Sequence, residues 1–250
     1  MGEDHPIGPV VHADSRILFC GTFPPVRKSI RFYYPNANND MWKVLGQVFY
    51  DDVDAFYTSA DCVSSLFSPP SKQSSCRAAT RVLDERRIWH FAHSQPVGFF
   101  DVCRRVRRRR GTSADDNIEA LERTNVLRDV LSCTPHCAGI LTTGTLAFTM
   151  LLDDLCAHGT FLTSSGAPVE AVFKTRRGKP KHHIPPMGGY LKWVPSEACS
   201  FCSAVWIYRC PSTSRALPLK LEDKTRHYRL AVAAHIPVPL MSAPASVANT

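Results

Sequence analysis

The chain has 250 residues, 44% of them hydrophobic and 21% charged, with a formal net charge of +8. That length accommodates one sizeable α/β domain and is short for two, and the composition is that of a globular protein rather than a fibrous or low-complexity one. There is no apolar run long enough to span a bilayer and no apolar signal core in residues 1–9, so a soluble, intracellular protein is expected.

The excess of Lys and Arg suits a polyanionic partner, because such residues displace counterions from phosphates; a merely basic surface gives the same number. The ten cysteines are scattered, several inside apolar runs, and read as reduced, mostly buried thiols.

Residues 1–14 read as an irregular arm. Residues 16–21 are an apolar run closed by Gly21, a buried first strand. In residues 39–50, Met41, Val44, Leu45 and Val48 recur at helical spacing, with Asn39 or a neighbour as N-cap. The Ser/Pro-rich stretch 62–78 reads as an exposed loop. Residues 81–93 predict a helix with a basic face, and 97–102 a second buried strand carrying Gly98-Phe99-Phe100-Asp101. Residues 104–110 hold six arginines in seven positions, either a DNA-contacting loop or a solvated charge run.

A short helix is expected over 124–131, a third strand over 139–143 ending at Gly144, and a helix over 146–155. Residues 159–200 read as an inserted hairpin or loop, with a strand at 169–174, a basic stretch at 174–181 and a turn at Pro185-Pro186-Met187-Gly188-Gly189. The last strand falls at 204–208. A helix follows over 217–232, with Pro218 in its first turn. Residues 236–250 read as a disordered tail. The expectation is thus a single domain over 1–235. Strands alternating with helices predict a mostly parallel sheet in a three-layer α/β domain.

Two loops stand out. One is Gly21-Thr22-Phe23-Pro24-Pro25, followed by Phe32-Tyr33-Tyr34-Pro35-Asn36-Ala37-Asn38-Asn39-Asp40-Met41-Trp42; the other is Cys210-Pro211-Ser212-Thr213-Ser214-Arg215. Each follows a predicted strand, and in a parallel sheet such loops gather at one edge, where ligands bind. Rigid Pro/Ser loops beside an aromatic and amide cluster suit a sugar–phosphate backbone and one planar base taken out of the DNA stack.

Five pieces in order carry a family likeness: residues 17–25 (Ile-Leu-Phe-Cys-Gly-Thr-Phe-Pro-Pro), Phe32-Tyr33-Tyr34-Pro35 through Asn39-Asp40-Met41-Trp42, Gly98-Phe99-Phe100-Asp101, Thr142-Thr143-Gly144, and Pro211-Ser212-Thr213-Ser214-Arg215-Ala216. On these the chain resembles the uracil-DNA glycosylase superfamily, most closely its hypoxanthine-DNA and mismatch-specific uracil-DNA glycosylase-like branch, over about residues 6–232. The resemblance implies an α/β/α sandwich around a central four-stranded, mostly parallel sheet. It also implies hydrolysis of the N-glycosidic bond of a flipped, deaminated base, uracil or hypoxanthine, with no metal or organic cofactor. The implied partner is DNA containing a damaged base, met by a monomer without a membrane.

The same resemblance assigns roles. Phe23 and Tyr34 stack on the base, and Gly21 and Thr22 complete the base-binding loop. Asn39 positions water or the base, taking over from the Asp or Asn that many members carry where Phe23 stands here. A neutral amide does this as a hydrogen-bonding group rather than a general base. Asp101 reads the base edge or stabilises the cationic sugar. Ser212, Thr213, Ser214 and Pro24 grip DNA phosphates, and Arg215 or Ser214 fills the vacated stack. Members with the best-known uracil activity carry His where Cys210 stands, so imidazole stabilisation of the leaving base is missing.

By residue type alone, Asn39 serves equally as a helix cap, Asp101 as a turn cap, and Tyr33 and Tyr34 as core. Cys199-x-x-Cys202 and Cys133-x-x-His136-Cys137 have ligand-like spacing, but cysteine-rich packing explains them and no metal is expected. His182-His183 reads as a phosphate contact or a solvated pair. A non-catalytic nucleic-acid binder on the same fold is the rival reading, and hydrolysis of free nucleosides a third.

Overall fold

The computed structural model describes residues 2–26, 30–59, 81–110, 112, 114–175, 178–199 and 203–237. The expected loop at 62–78, Cys202 and the tail from 238 onward lie outside them.

In chain order the first elements are β1 (Glu3–Asp4), β2 (Ile17–Gly21), α1 (Met41–Phe49), β3 (Tyr57–Ser59), β4 (Arg81–Leu83), α2 (Glu85–Ser94), β5 (Val97–Asp101), β6 (Cys103–Arg108) and β7 (Ile118–Arg123). There follow β8 (Gly139–Thr142), α3 (Thr145–Leu155), β9 (Gly159–Leu162), β10 (Pro168–Val169), β11 (Val172–Lys174), β12 (Pro180–His182), β13 (Tyr190–Pro195), β14 (Val205–Arg209) and α4 (Leu221–Ala233).

The four apolar runs pair in parallel, in the order β5-β2-β8-β14. Every residue of β2 and β5 is buried, as a strand covered on both faces requires. Alternate side chains serve opposite layers. Ile17 and Phe19 pack with α1, α2 and α4, whereas Leu18 and Cys20 pack with α3 and the turn at 126–133. Trp42, Phe56, Phe91 and Phe99 interlock edge-on or tilted in the first layer, with ring centroids 5.0–6.2 Å apart.

The expectation of a four-stranded sheet needs correction: the sheet has seven strands, in the order β10-β9-β13-β14-β8-β2-β5. Residues 159–195 are not a loose insertion. They add three antiparallel strands beyond β14, driven by burial of Phe161, Leu191 and Trp193 on the α3 side. Only β11 and β12 stand apart, as a hairpin.

Other boundaries move for local reasons. Asp84 caps α2, its side chain accepting from the Arg86 and Arg87 N–H groups, so the helix starts four residues later than predicted and β4 precedes it. Pro218 lies before α4, not in its first turn. Residues 126–130 form a π-type turn rather than a regular helix. The N-terminal arm is tied down, β1 pairing with β6 and Val10 bridging Phe99 of β5. Among the described residues no helix is long and apolar enough to cross a membrane.

Candidate active site

Strand register brings the predicted loops to one edge. Gly21 lies opposite Asp101, Cys20 opposite Thr142, and Arg209 opposite Thr142 on the other side. The chain therefore leaves β2, β5, β8 and β14 at the same end of the sheet. The strand order also reverses between β2 and β8, and in open α/β sheets such a switch point leaves a crevice. A cavity of about 560 Å³ opens there, lined by Gly21, Thr22, Phe23, Pro24, Tyr33, Tyr34, Asn39, Asp101, Thr143, Ser212, Thr213 and Ser214, among others. That is the size of a small-ligand pocket. Every residue given a base-contacting, DNA-contacting or catalytic role from the sequence lines it except Arg215, which is exposed and outside the lining.

Asp101 is the cavity's buried carboxylate, only 6% exposed. His5 Nε2 lies 3.0 Å from its Oδ2. A Cβ on Gly21 would come within 2.3 Å of Oδ1, so only glycine lets the carboxylate cross the strand end. Tyr34 holds φ +51, a left-handed conformation that a bulky residue keeps only where its surroundings enforce it. Its hydroxyl donates to Thr143 Oγ1 at 3.3 Å. Burial, reinforced by the Asp101 charge, pushes the Tyr34 hydroxyl up and keeps it a donor.

The N-cap of α1 is Asp40, not Asn39; Asn39 lies one residue before it, where its Oδ1 accepts the Met41 N–H at 2.9 Å while the residue lines the cavity. The carbonyl end is thereby committed to α1 and Nδ2 is the end left to donate. Ser212 Oγ accepts from the Ser214 N–H and Ser214 Oγ from the Ala216 N–H, each at 3.2 Å. These contacts shape the loop and leave both hydroxyl protons to donate. Cys210 is buried, and burial pushes its thiol far up, which argues against a nucleophile.

The structure also supplies residues that sequence reasoning missed. Lys224 of α4 is 1% exposed, with Nζ 2.8 Å from Asp40 Oδ2 and donating to the Ser214 carbonyl at 3.0 Å. With the Asp40 N–H donating to the Thr213 carbonyl, it clamps the Asn39 loop to the Ser/Thr loop. Arg108 corrects the reading of the arginine run as a loop. Residues up to Arg108 are strand β6, where Arg104 faces Glu122 at 3.6 Å, Arg105 faces Asp4 at 3.5 Å and Arg107 faces Glu119 at 3.6 Å. The Arg108 side chain is 2% exposed, bonds Glu3 and the Pro24 carbonyl, and lies 5.4 Å over the Phe23 ring.

The hairpin ahead of β7 delivers Asp115 and Asp116 to the cavity rim. Asp115 is open to the cavity solvent yet ringed by protein. That desolvation, with Asp101 and Asp116 nearby, pushes its carboxyl up against the pull of the Thr22 hydrogen bond and of Arg108. A raised folded-state value means that stability present below the ordinary carboxylate pKa is lost as pH rises through the folded one. Asp115→Asn is therefore expected to raise the melting temperature at pH 7 and leave it unchanged near pH 3; equal shifts at both would remove the electrostatic explanation.

Among the described residues, no three His, Cys, Asp or Glu side chains gather as metal ligands.

Fold and site together define a mixed α/β protein with an acidic cavity at the carboxyl edge of its parallel strands. No family model matches the chain, and no curated protein matches it. Among solved structures it is similar to the solution NMR structure of a candidate uracil DNA glycosylase from Methanosarcina acetivorans. The two share 15% identity over 92% of this chain and 99% of that one, with a TM-score of 0.45, too distant a likeness to carry function.

Proposed function

We propose that this cavity receives one base flipped out of DNA and hydrolyses its N-glycosidic bond, acting as a monofunctional DNA glycosylase on a deaminated base, uracil or hypoxanthine. The observation that carries the reading is the convergence of five loops, distant in sequence, on one pocket beside the buried Asp101 carboxylate.

The chemistry follows from the donors and acceptors present. Breaking the bond sends its electron pair to the base nitrogen and leaves an oxocarbenium-like sugar. Asp101 offers negative charge to that cation and accepts a proton from the attacking water as the new bond to the sugar forms. The Asn39 Nδ2 donates to a carbonyl oxygen of the base, a feature that uracil and hypoxanthine share. Phe23 and Tyr34 stack on its faces, and the Ser212 and Ser214 hydroxyls donate to flanking phosphates. Among the described residues that line the cavity there is no lysine to form a Schiff base.

The test is a strand-break assay on oligonucleotides carrying one uracil, hypoxanthine or xanthine, single-stranded and in each mismatch, followed by hot alkali. Alkali-dependent breaks at one lesion are expected. Asn39→Ala should slow them about 100–1,000-fold, as loss of one hydrogen-bond donor to the transition state does. Intact strands throughout, with DNA binding retained, would favour the non-catalytic binder, for which the replaced side chains at Phe23 and Cys210 already speak.

A further inference from the structure

Asp101 has a second, less conspicuous neighbour in the N-terminal arm. His5 follows β1, and its own N–H donates to the Arg104 carbonyl at 2.8 Å. Its side chain is 7% exposed. The ring meets Phe23 edge-on at 5.4 Å and Tyr33 at 5.7 Å. The Ile7 N–H donates to His5 Nδ1 at 3.3 Å, which makes Nδ1 the acceptor. In the neutral ring the proton then sits on Nε2 and points at Asp101 Oδ2, 3.0 Å away. Beyond this pair lies a second cavity of about 320 Å³, lined by His5, Ile7, Gly8, Pro9, Tyr33, Asp101, Arg104, Thr124 and Asp129. The His5–Asp101 pair thus forms part of the wall between that space and the main pocket.

We infer that His5 is a positioning residue: its Nε2–H fixes the rotamer of Asp101 and so the place of its carboxylate at the pocket wall, while the arm closes the pocket behind it. The inference rests on Asp101 acting on the substrate. The other groups facing Asp101 favour no such order. Tyr33, Tyr34, Cys20 and Cys103 are held protonated by burial, and Asp115 repels a second negative charge. Arg104 and Asp129, on the second cavity, oppose each other in sign. Among the described residues, only His5 offers Asp101 a fixed donor from a buried ring. A histidine that merely filled space would need neither nitrogen engaged.

Two substitutions and one spectrum test this. His5→Leu keeps an apolar filler and removes the donor; His5→Gln returns a donor near the position of Nε2. Base release by His5→Leu is expected to fall about 10–100-fold, the worth of a hydrogen bond to a charged group. His5→Gln should recover most of that loss. An unchanged rate in a folded His5→Leu would overturn the inference. Nitrogen-15 spectra of the labelled histidines need no activity. The proposal requires an Nε2–H tautomer for His5 whose signals shift in Asp101→Asn, and an Nδ1–H tautomer would overturn it. If the wild-type protein releases no base from any lesion, the glycosylase reading falls, and the spectrum still decides whether His5 holds Asp101.

Discussion

Asp101→Asn is expected to reduce base release by about 10²–10⁴-fold, the range for loss of a positioned general base, while the protein stays folded. Asparagine matches the carboxylate in shape, and its carbonyl can accept the His5 Nε2–H that Oδ2 accepts at 3.0 Å. What disappears is the negative charge facing the cavity and the ability to take a proton. The fold should hold because the backbone ties at this position remain: the Asp101 carbonyl accepts from Thr124 Oγ1 at 2.6 Å, and the strand pairs with β2. Release assayed under single-turnover conditions, beside a thermal melt, separates the two effects. An active Asp101→Asn protein would remove Asp101 from the chemistry.

The second large effect falls on stability. Lys224→Met leaves Asp40, 13% exposed, without its closest cation; Lys43, at 3.7 Å from the other oxygen, is a weaker substitute. Removing one member of a buried pair costs about 3–5 kcal/mol, or about 6–20 °C in melting temperature for a chain of this size. The double variant Lys224→Met/Asp40→Asn should recover part of the loss, because no uncompensated charge remains. Base release should suffer more than the melting temperature alone explains, since the Ser214 carbonyl loses its donor and the phosphate-facing loop its anchor. A melting temperature unchanged by Lys224→Met would show that the clamp contributes little.

The parallel strands were legible in the sequence because each is a dense apolar run closed by Gly, Asp, Thr or Arg, the pattern that burial on both faces imposes. The cavity-lining loops were legible because strand ends in such a sheet converge whatever the loops contain. The strands of 159–195 were not, because Phe161, Leu191 and Trp193 lie in short segments set between Gly-, Ser- and Pro-containing turns. Their strand character comes from pairing with β14 and with each other. His5, Asp115 and Lys224 were illegible for a related reason. A single polar residue in an arm, turn or charged helix carries no periodic signal, and its role exists only once tertiary contact supplies a partner. Arg108 is the sharper lesson. Charge density suggested a DNA surface, yet that side chain is turned inward onto Pro24 and Phe23.

The bridge between Val10 and Phe99 has a bearing on colloidal behaviour. β5 is the outermost strand of the sheet on its side, and Val10 exchanges both backbone hydrogen bonds with Phe99 at 2.8 Å. Gly98 allows this approach, since a Cβ there would sit 3.0 Å from the Val10 carbonyl oxygen. At the opposite border β10 is only two residues long and begins with proline. Neither border therefore presents a long, flat row of unpaired amides for another copy to extend, the route by which β proteins self-associate into insoluble ribbons. The arm that brings His5 to Asp101 is thus also the one that keeps this flank of the molecule from acting as a template.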